Sequence, residues 1–195
     1  TPPAERLEVI DGVEIDYSSN ELGGVLLALL KGNGNYFERF LSRFALTTSP
    51  AFELLKPLVH NALSTRVARH YVGFATQQRL EWERGGRTST KKLLYVLRTA
   101  TTGTHVLRTG ELETDLSVLA PRYALADAVE LIDAKKRGER SELPKALAEK
   151  WAARVDGVFS ALADAERDSV LPADAPNADA LEAALIALRT SGSRT

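Results

Sequence analysis

A chain of 195 residues with 44% hydrophobic and 26% charged side chains is long enough to bury the core of one domain, or of one and a half. Its 25 basic residues nearly balance its 26 acidic ones, so any polyanion must be met by a local basic patch and not by the whole surface. The absence of cysteine excludes disulfides, thiolate metal sites and thiol nucleophiles.

The longest apolar run, residues 25–30, falls far short of the roughly 18 residues of a membrane span, and the N-terminus lacks the apolar stretch of a signal peptide. The cytoplasm is therefore the expected compartment, with no membrane partner. There is no methionine either, and a start at Thr1-Pro2-Pro3 points to a processed or fragmentary product, or to removal of an initiator.

Residues 7–10 and 13–17 are β-rich runs on either side of Asp11-Gly12, the composition of a two-residue hairpin turn. In the second run Glu14 and Asp16 alternate with Val13, Ile15 and Tyr17, which puts both carboxylates on one face. An isolated ribbon of two strands is marginal in water, so further strands or the following helices must cover it.

Helical signals follow. Ser19 or Asn20 is placed to cap a helix that ends before Gly32, and a shorter helix is expected over 36–43. Thr47-Thr48-Ser49-Pro50 reads as loop and cap before a long helix over 51–82, with Pro57 as its point of division. Gly85-Gly86 ends that element; Ser89 or Thr90 caps a helix over 91–109, which Gly110 stops. Helices over 116–123, 125–137, 143–167 and 178–189 complete the series. Residues 138–142 form a polar link, Asn177 caps the last helix, and 190–195 should fray. The expected fold is mainly α, an N-terminal β-hairpin followed by a multi-helix bundle of five to eight helices.

Three groups of residues are chemically suggestive. Lys91, Tyr95, Arg98, Thr102 and His105 follow at helical spacing and share one stripe. The stripe offers two cations, a phenol, a hydroxyl and an imidazole with no carboxylate of its own, which suits phosphates. From periodicity alone, such a stripe is more often a solvated helix face; its makeup is what favours function. On the preceding helix Arg66, His70, Gly73 and Gln77 form a second stripe, with Tyr71 and Phe74 beside it. Gly73 costs helix stability and so suggests a close approach by a neighbouring helix or ligand. A short link between the two helices would let both stripes line one groove. The third group is Glu14 and Asp16, of which Asp16 offers one hard oxygen ligand but not a complete Mg²⁺ site. No Gly-rich phosphate loop, zinc-ligand spacing or serine triad is evident. Arg66 and His70 are one residue too close for the Arg-x₄-His pattern of a helical ribonuclease.

These segments together resemble the predicted nucleotidyltransferases of the DNA polymerase β superfamily, in particular the bacterial branch that includes an RNA-repair-pathway member. The resemblance begins at Val13-Glu14-Ile15-Asp16-Tyr17 and continues through Leu26-Leu27-Ala28-Leu29-Leu30-Lys31-Gly32-Asn33-Gly34 and Glu38-Arg39-Phe40-Leu41-Ser42, with Gly34 in place of the usual proline. It runs on through Arg66, His70-Tyr71-Val72-Gly73-Phe74-Ala75 and Gln77. It is strongest in Lys91-Lys92-Leu93-Leu94-Tyr95-Val96-Leu97-Arg98 with Gly103-Thr104-His105 and Leu107-Arg108-Thr109-Gly110-Glu111, and spans residues 7–190 in all.

The resemblance implies Mg²⁺-dependent transfer of a nucleotidyl group from a nucleoside triphosphate to an RNA, protein or other acceptor. It places Asp16 where the superfamily has its third metal-binding, catalytic carboxylate. It assigns Lys91, Tyr95, Arg98 and His105, with Arg66, His70 and Gln77, to the nucleotide and its phosphates. It makes residues 1–48 the C-terminal remnant of the nucleotidyltransferase core, 49–190 a helical substrate- and nucleotide-binding domain, and 191–195 a disordered tail. The superfamily's Gly-Ser motif and Asp-x-Asp pair have no counterpart ahead of Asp16. The chain alone is therefore expected to be inactive, its missing part truncated or on a separate catalytic chain. The alternative is a non-catalytic helical module that binds a nucleotide or a partner protein.

Overall fold

A computed structural model describes residues 5–45, 47–136 and 142–191, and it opens on the expected hairpin. Strands β1 (Glu5–Ile10) and β2 (Val13–Ser18) pair antiparallel, with Ile10 opposite Val13. Asp11 and Gly12 between them have φ of 51° and 78°, the paired left-handed residues of the hairpin turn that suits strand twist. Both faces of the ribbon stay open. Leu7, Val9, Ile10, Val13, Ile15 and Tyr17 are all exposed, and no helix packs extensively against them.

The helices are α1 (Leu22–Leu30), α2 (Gly34–Leu41), α3 (Pro50–His60), α4 (Val67–Arg84), α5 (Thr90–Thr109), α6 (Leu116–Leu119), α7 (Ala128–Lys136), α8 (Lys145–Arg167) and α9 (Ala178–Ser191), with a 3₁₀ turn over Ala120–Tyr123. The fold is thus mainly α behind a two-stranded hairpin, and the described residues hold nine helices where five to eight were expected. No helix among the described residues is long and apolar enough to cross a membrane.

Helix α5 is the axis. Ser89 caps it through a bond from the Lys92 N–H to Oγ (3.3 Å), and Gly110, at φ 76°, closes it. From Thr99 to Leu107 every side chain is buried, because α4 and α8 pack along it and α6 and α7 cover the rest. Lys92 reaches Glu81 and Gly103 meets Tyr71, so α4 and α5 run antiparallel. A Cβ at Gly103 would lie 2.6 Å from Tyr71 Cβ and 2.9 Å from Leu162 Cδ1, which makes it the close crossing of α4, α5 and α8.

Several boundaries differ from expectation, each for a local reason. Helix α1 is capped by Glu21, whose Oε2 accepts from the Gly24 N–H at 2.7 Å, and not by Ser19 or Asn20. That carboxyl is held down to about 2 by the Gly23 and Gly24 N–H groups and by Arg189, which ties α9 to α1. Helix α2 starts at Gly34 because Asn33 caps it, its Oδ1 accepting from the Asn35 N–H. The long helix expected over 51–82 breaks at residues 61–66, and Pro57 sits inside α3 without dividing it. The break is held from outside: the Thr65 N–H donates to Pro172 O at 2.8 Å and the Asn177 amide to Leu58 O at 2.8 Å.

Asn177 is consequently not a cap, its Oδ1 being buried without a hydrogen-bond partner. Helix α8 starts at Lys145, with Pro144 as the flanking residue. Of the expected polar link over 138–142 only Glu142 is described, in a bridge to Ser89; of the tail expected to fray over 190–195, Thr190 and Ser191 instead continue α9, and 192–195 lie outside the described residues.

Gly73 is not a point of close approach. It is exposed, and a Cβ there would meet nothing within 4 Å. Gly73→Ala should therefore raise stability by about 0.5–1 kcal/mol, through helix propensity and a less mobile unfolded chain. Urea unfolding would show the gain; a loss would mean that an unseen neighbour occupies that face.

Candidate functional site

Lys91 and Lys92 occupy the first turn of α5, where no acidic residue is present. Cations at a helix N-terminus oppose the helix dipole, so this turn is built against its own stability and favours an incoming anion. Lys92 lies 3.9 Å from Glu81, whereas Lys91 makes no ion pair among the described residues. One turn on, Tyr95 is partly exposed and its ring lies under the Arg98 guanidinium at 5.8 Å. Lys91, Tyr95 and Arg98 open together into a groove of about 490 Å³, closed on the far side by Thr114, Asp115, Leu116 and Ser117 and by Ile132 and Lys135 of α7.

Asp115 is the only carboxylate lining the groove among the described residues, and it is already engaged. It accepts from Ser117 and from Arg43, and these contacts, the Ser117 hydroxyl foremost, hold its carboxyl below the usual range. The groove therefore presents Lys91 and Lys135 to solvent, with Arg98 at its inner edge.

Arg98 is not the uncompensated cation that its stripe suggests. Glu38 arrives from α2 and takes both Arg98 Nη1 (3.1 Å) and the Tyr71 hydroxyl (3.2 Å), one on each carboxylate oxygen. The Tyr71 phenol is raised well above its ordinary value, first by burial and then by the charge of Glu38, so it remains a neutral donor. His70 packs beside this trio, edge-on to Tyr71 at 5.2 Å and stacked with Phe74 at 5.8 Å. Gly34 makes room for it, since a Cβ there would fall 2.4 Å from the imidazole Cδ2. Burial, aided by Arg98, lowers the His70 pKa against the opposing pull of Glu38, and its Nε2 is buried without a partner.

The rest of the expected phosphate stripe is covered. Thr102 is fully buried, and His105 lies under the segment that follows α5, its Nδ1 2.9 Å from the Tyr123 hydroxyl. Neither lines the groove with Lys91, contrary to the single stripe drawn from helical spacing. The second stripe also divides. Arg66 pairs with Asp174 at 2.6 Å, and Gln77 donates to Glu81 at 3.3 Å, both away from the groove. Only His70 reaches the Arg98 cluster.

Asp16 lies on the exposed β2, opposite Leu7, with Glu14 opposite Val9 on the same face. Among the described residues no group of three or more His, Asp or Glu side chains is placed to hold a metal. These residues do not by themselves fit a Mg²⁺ centre; Asp16 supplies one ligand at most.

Residues that spacing did not single out now stand at the centre. Lys135 lines the groove from α7, while Glu38 of α2 and Tyr71 of α4 act on it only through Arg98. Glu38 stands in the motif that carries the resemblance, and its place between Phe37 and Phe40, two core aromatics, puts it at the edge of the core.

Burial lowers the pKa of both His70 and His105. The unfolded chain then binds more protons than the folded one once pH falls below the ordinary histidine value of about 6.5. Stability should be full above that pH and decline as pH drops toward the depressed folded values. Melting temperature measured from pH 7.5 to 5.5 should show this slope, and His105→Gln should flatten it. A slope unchanged in that variant would remove His105 as a contributor.

The chain is similar to an uncharacterised protein of Methanocaldococcus jannaschii, 35% identical over 102 residues. That stretch is 52% of this chain and 42% of the relative, so the chain spans well under half of the relative's length. No solved structure matches it. The family described as "RNA repair pathway DNA polymerase beta family" matches residues 5–187, nearly the whole chain, and so agrees with the resemblance read from the motifs. The chain belongs to this RNA repair pathway DNA polymerase beta family, a group of DNA polymerase β-like nucleotidyltransferases.

Proposed function

We propose that this chain supplies the nucleotide-holding helical part of a Mg²⁺-dependent nucleotidyltransferase and that, alone, it binds a nucleoside triphosphate without transferring it. The observation that supports this most is the groove at the start of α5, where Lys91, lacking an ion pair among the described residues, lies with Tyr95, Arg98 and Lys135 around about 490 Å³. Lysine there acts as a point charge toward phosphate oxygens, and Arg98, oriented by Glu38, presents its remaining N–H groups as a fork. Tyr95 offers a ring and a hydroxyl at the same rim.

Catalysis in this superfamily relies on a carboxylate-bound metal, and the described residues offer only Asp16 toward one. The two open faces of the hairpin favour the same reading. A ribbon with six exposed large apolar side chains fits the edge of a larger sheet, completed from outside the described residues, that brings the remaining carboxylates. The same exposure favours a second reading, a non-catalytic module that docks a partner protein through the hairpin.

Calorimetric titration of ATP, GTP, CTP and UTP with Mg²⁺ into the chain, beside a labelled-nucleotide transfer assay, separates these readings. Binding without transfer is expected. Neither binding nor transfer would favour the docking module, and transfer by this chain alone would show that the catalytic carboxylates are misplaced here. In an intact, active enzyme Asp16→Asn should abolish transfer while leaving melting temperature unchanged, because the side chain is exposed on β2.

A further inference from the structure

A second cleft, sharing no lining residue with the groove, lies between the C-terminal half of α5, the 3₁₀ turn and α8, with a volume of about 520 Å³. Three arginines from three different elements converge on it, Arg108, Arg122 and Arg154, and no carboxylate lines it among the described residues. Arg154 is fixed in place: it bonds Asp127 and the Ala124 carbonyl and stacks over Trp151 at 4.6 Å. Asp127 also accepts from Lys150 at 3.1 Å, so its charge is shared between two cations. Arg108 and Arg122 make no ion pair among the described residues.

The remaining lining is equally specific. The Tyr123 hydroxyl is positioned by His105 Nδ1 at 2.9 Å. Thr101 lines it from α5 and is 1% exposed. Leu125 and Val158 make part of the lining apolar, and Gly157 contributes no side chain to it. An arginine at a helix C-terminus, as Arg108 is, often serves only the helix dipole. That role does not account for two further guanidiniums and an oriented phenol at one concavity.

We propose that this cleft binds a nucleoside monophosphate unit, its phosphate on Arg108, Arg122 and Arg154 and its flat apolar body on Leu125 and Val158. Guanidiniums bind phosphate oxygens bidentately. The volume lies within the roughly 300–1,000 Å³ of small-molecule sites. The cleft would give a transferase a second nucleotide position, distinct from the triphosphate groove and independent of whether that groove functions.

The test is calorimetric titration of 5′-AMP, adenosine and inorganic phosphate into the Lys91→Ala chain in Mg²⁺-free buffer, so that the groove is weakened. AMP should bind more tightly than adenosine or phosphate, and adding Arg108→Ala with Arg122→Ala should lower its affinity at least tenfold. Both arginines are exposed, so the variants should fold, which an unchanged melting temperature would verify. Several outcomes would overturn the proposal: no AMP binding, AMP affinity indifferent to the two arginines, or adenosine or phosphate binding as tightly as AMP. Failure here leaves ATP binding in the groove untouched, and failure of the groove leaves this cleft untouched.

Discussion

Replacing Gly103 by valine should cost roughly 3 kcal/mol or more of folding stability, and with it the shape of the groove. The first added carbon would stand 2.6 Å from Tyr71 Cβ and 2.9 Å from both Tyr71 Cγ and Leu162 Cδ1, closer than any relaxed contact. Two of these neighbours are not the free ends of flexible chains: Tyr71 is 1% exposed and meets the glycine through its Cβ and ring root. Overpacking in such cores costs about 1–3 kcal/mol and occasionally more, and valine adds two further carbons to the clash. For a chain of this size each kcal/mol is worth roughly 2–4 °C in melting temperature, so a fall of about 10 °C is expected by calorimetry. Gly103→Ala should also destabilise, although alanine is the better helix former, because the clash exceeds the propensity gain of about 1 kcal/mol. The opposite sign at Gly73, on α4, is the internal control. If Gly103→Ala proved as stable as the parent, α4, α5 and α8 would not cross as described. The functional consequence follows from Tyr71, whose hydroxyl bonds Glu38, which in turn orients Arg98. Pushing Tyr71 outward should loosen Arg98 and weaken anion binding in the groove.

The elements that could be read in advance were those whose signals are local. The hairpin follows from Asp11-Gly12 between alternating strands, and α5 is bounded by Ser89, through its hydroxyl, and by Gly110, through its left-handed backbone. The division of α3 from α4 was not legible, because no glycine or proline lies at residues 61–66 and the apolar pattern continues through Ala62, Leu63 and Val67. What breaks the helix is a distant strip, residues 172–177, whose carbonyls and amide take over the hydrogen bonds. Asn177 misleads for the same reason: a good cap residue in sequence spends its amide on Leu58 instead.

The candidate site divides along the same line. That Lys91, Tyr95 and Arg98 share a face is a matter of helical period, and the groove brings them together. That His105, on the same stripe, is sealed over depends on where the 3₁₀ turn folds back, and Thr102 is buried as well; periodicity carries neither. The counter-ion of Arg98 sits 60 residues away on α2, and so could not be named from one chain's spacing. The burial of α5 on all sides in its second half decides which of its polar residues face solvent.

Lys91→Ala should weaken binding of a nucleoside triphosphate by about 1–3 kcal/mol, roughly tenfold to a hundredfold, while leaving the fold intact. The side chain is exposed, makes no ion pair among the described residues, and stands at the unfavourable end of the helix dipole, so its loss removes a repulsion and no contact. Arg98→Ala should behave differently. It too loses a phosphate contact, but it also leaves Glu38, partly buried at the groove's inner edge, with Tyr71 as its only hydrogen-bond partner among the described residues. Affinity should therefore fall further than in Lys91→Ala, since an unneutralised carboxylate would repel the triphosphate, and melting temperature should fall as well. Arg98→Lys should recover part of the affinity through its charge but not the bidentate geometry. Raising the salt concentration should shrink the Lys91 effect more than the Arg98 effect, because Lys91 is the more exposed. Titrating ATP into the four proteins at two ionic strengths, beside a thermal melt of each, reads all of these terms. Affinity unchanged in both alanine variants would remove this groove as the phosphate site, and a large loss of stability in Lys91→Ala would recast that lysine as structural.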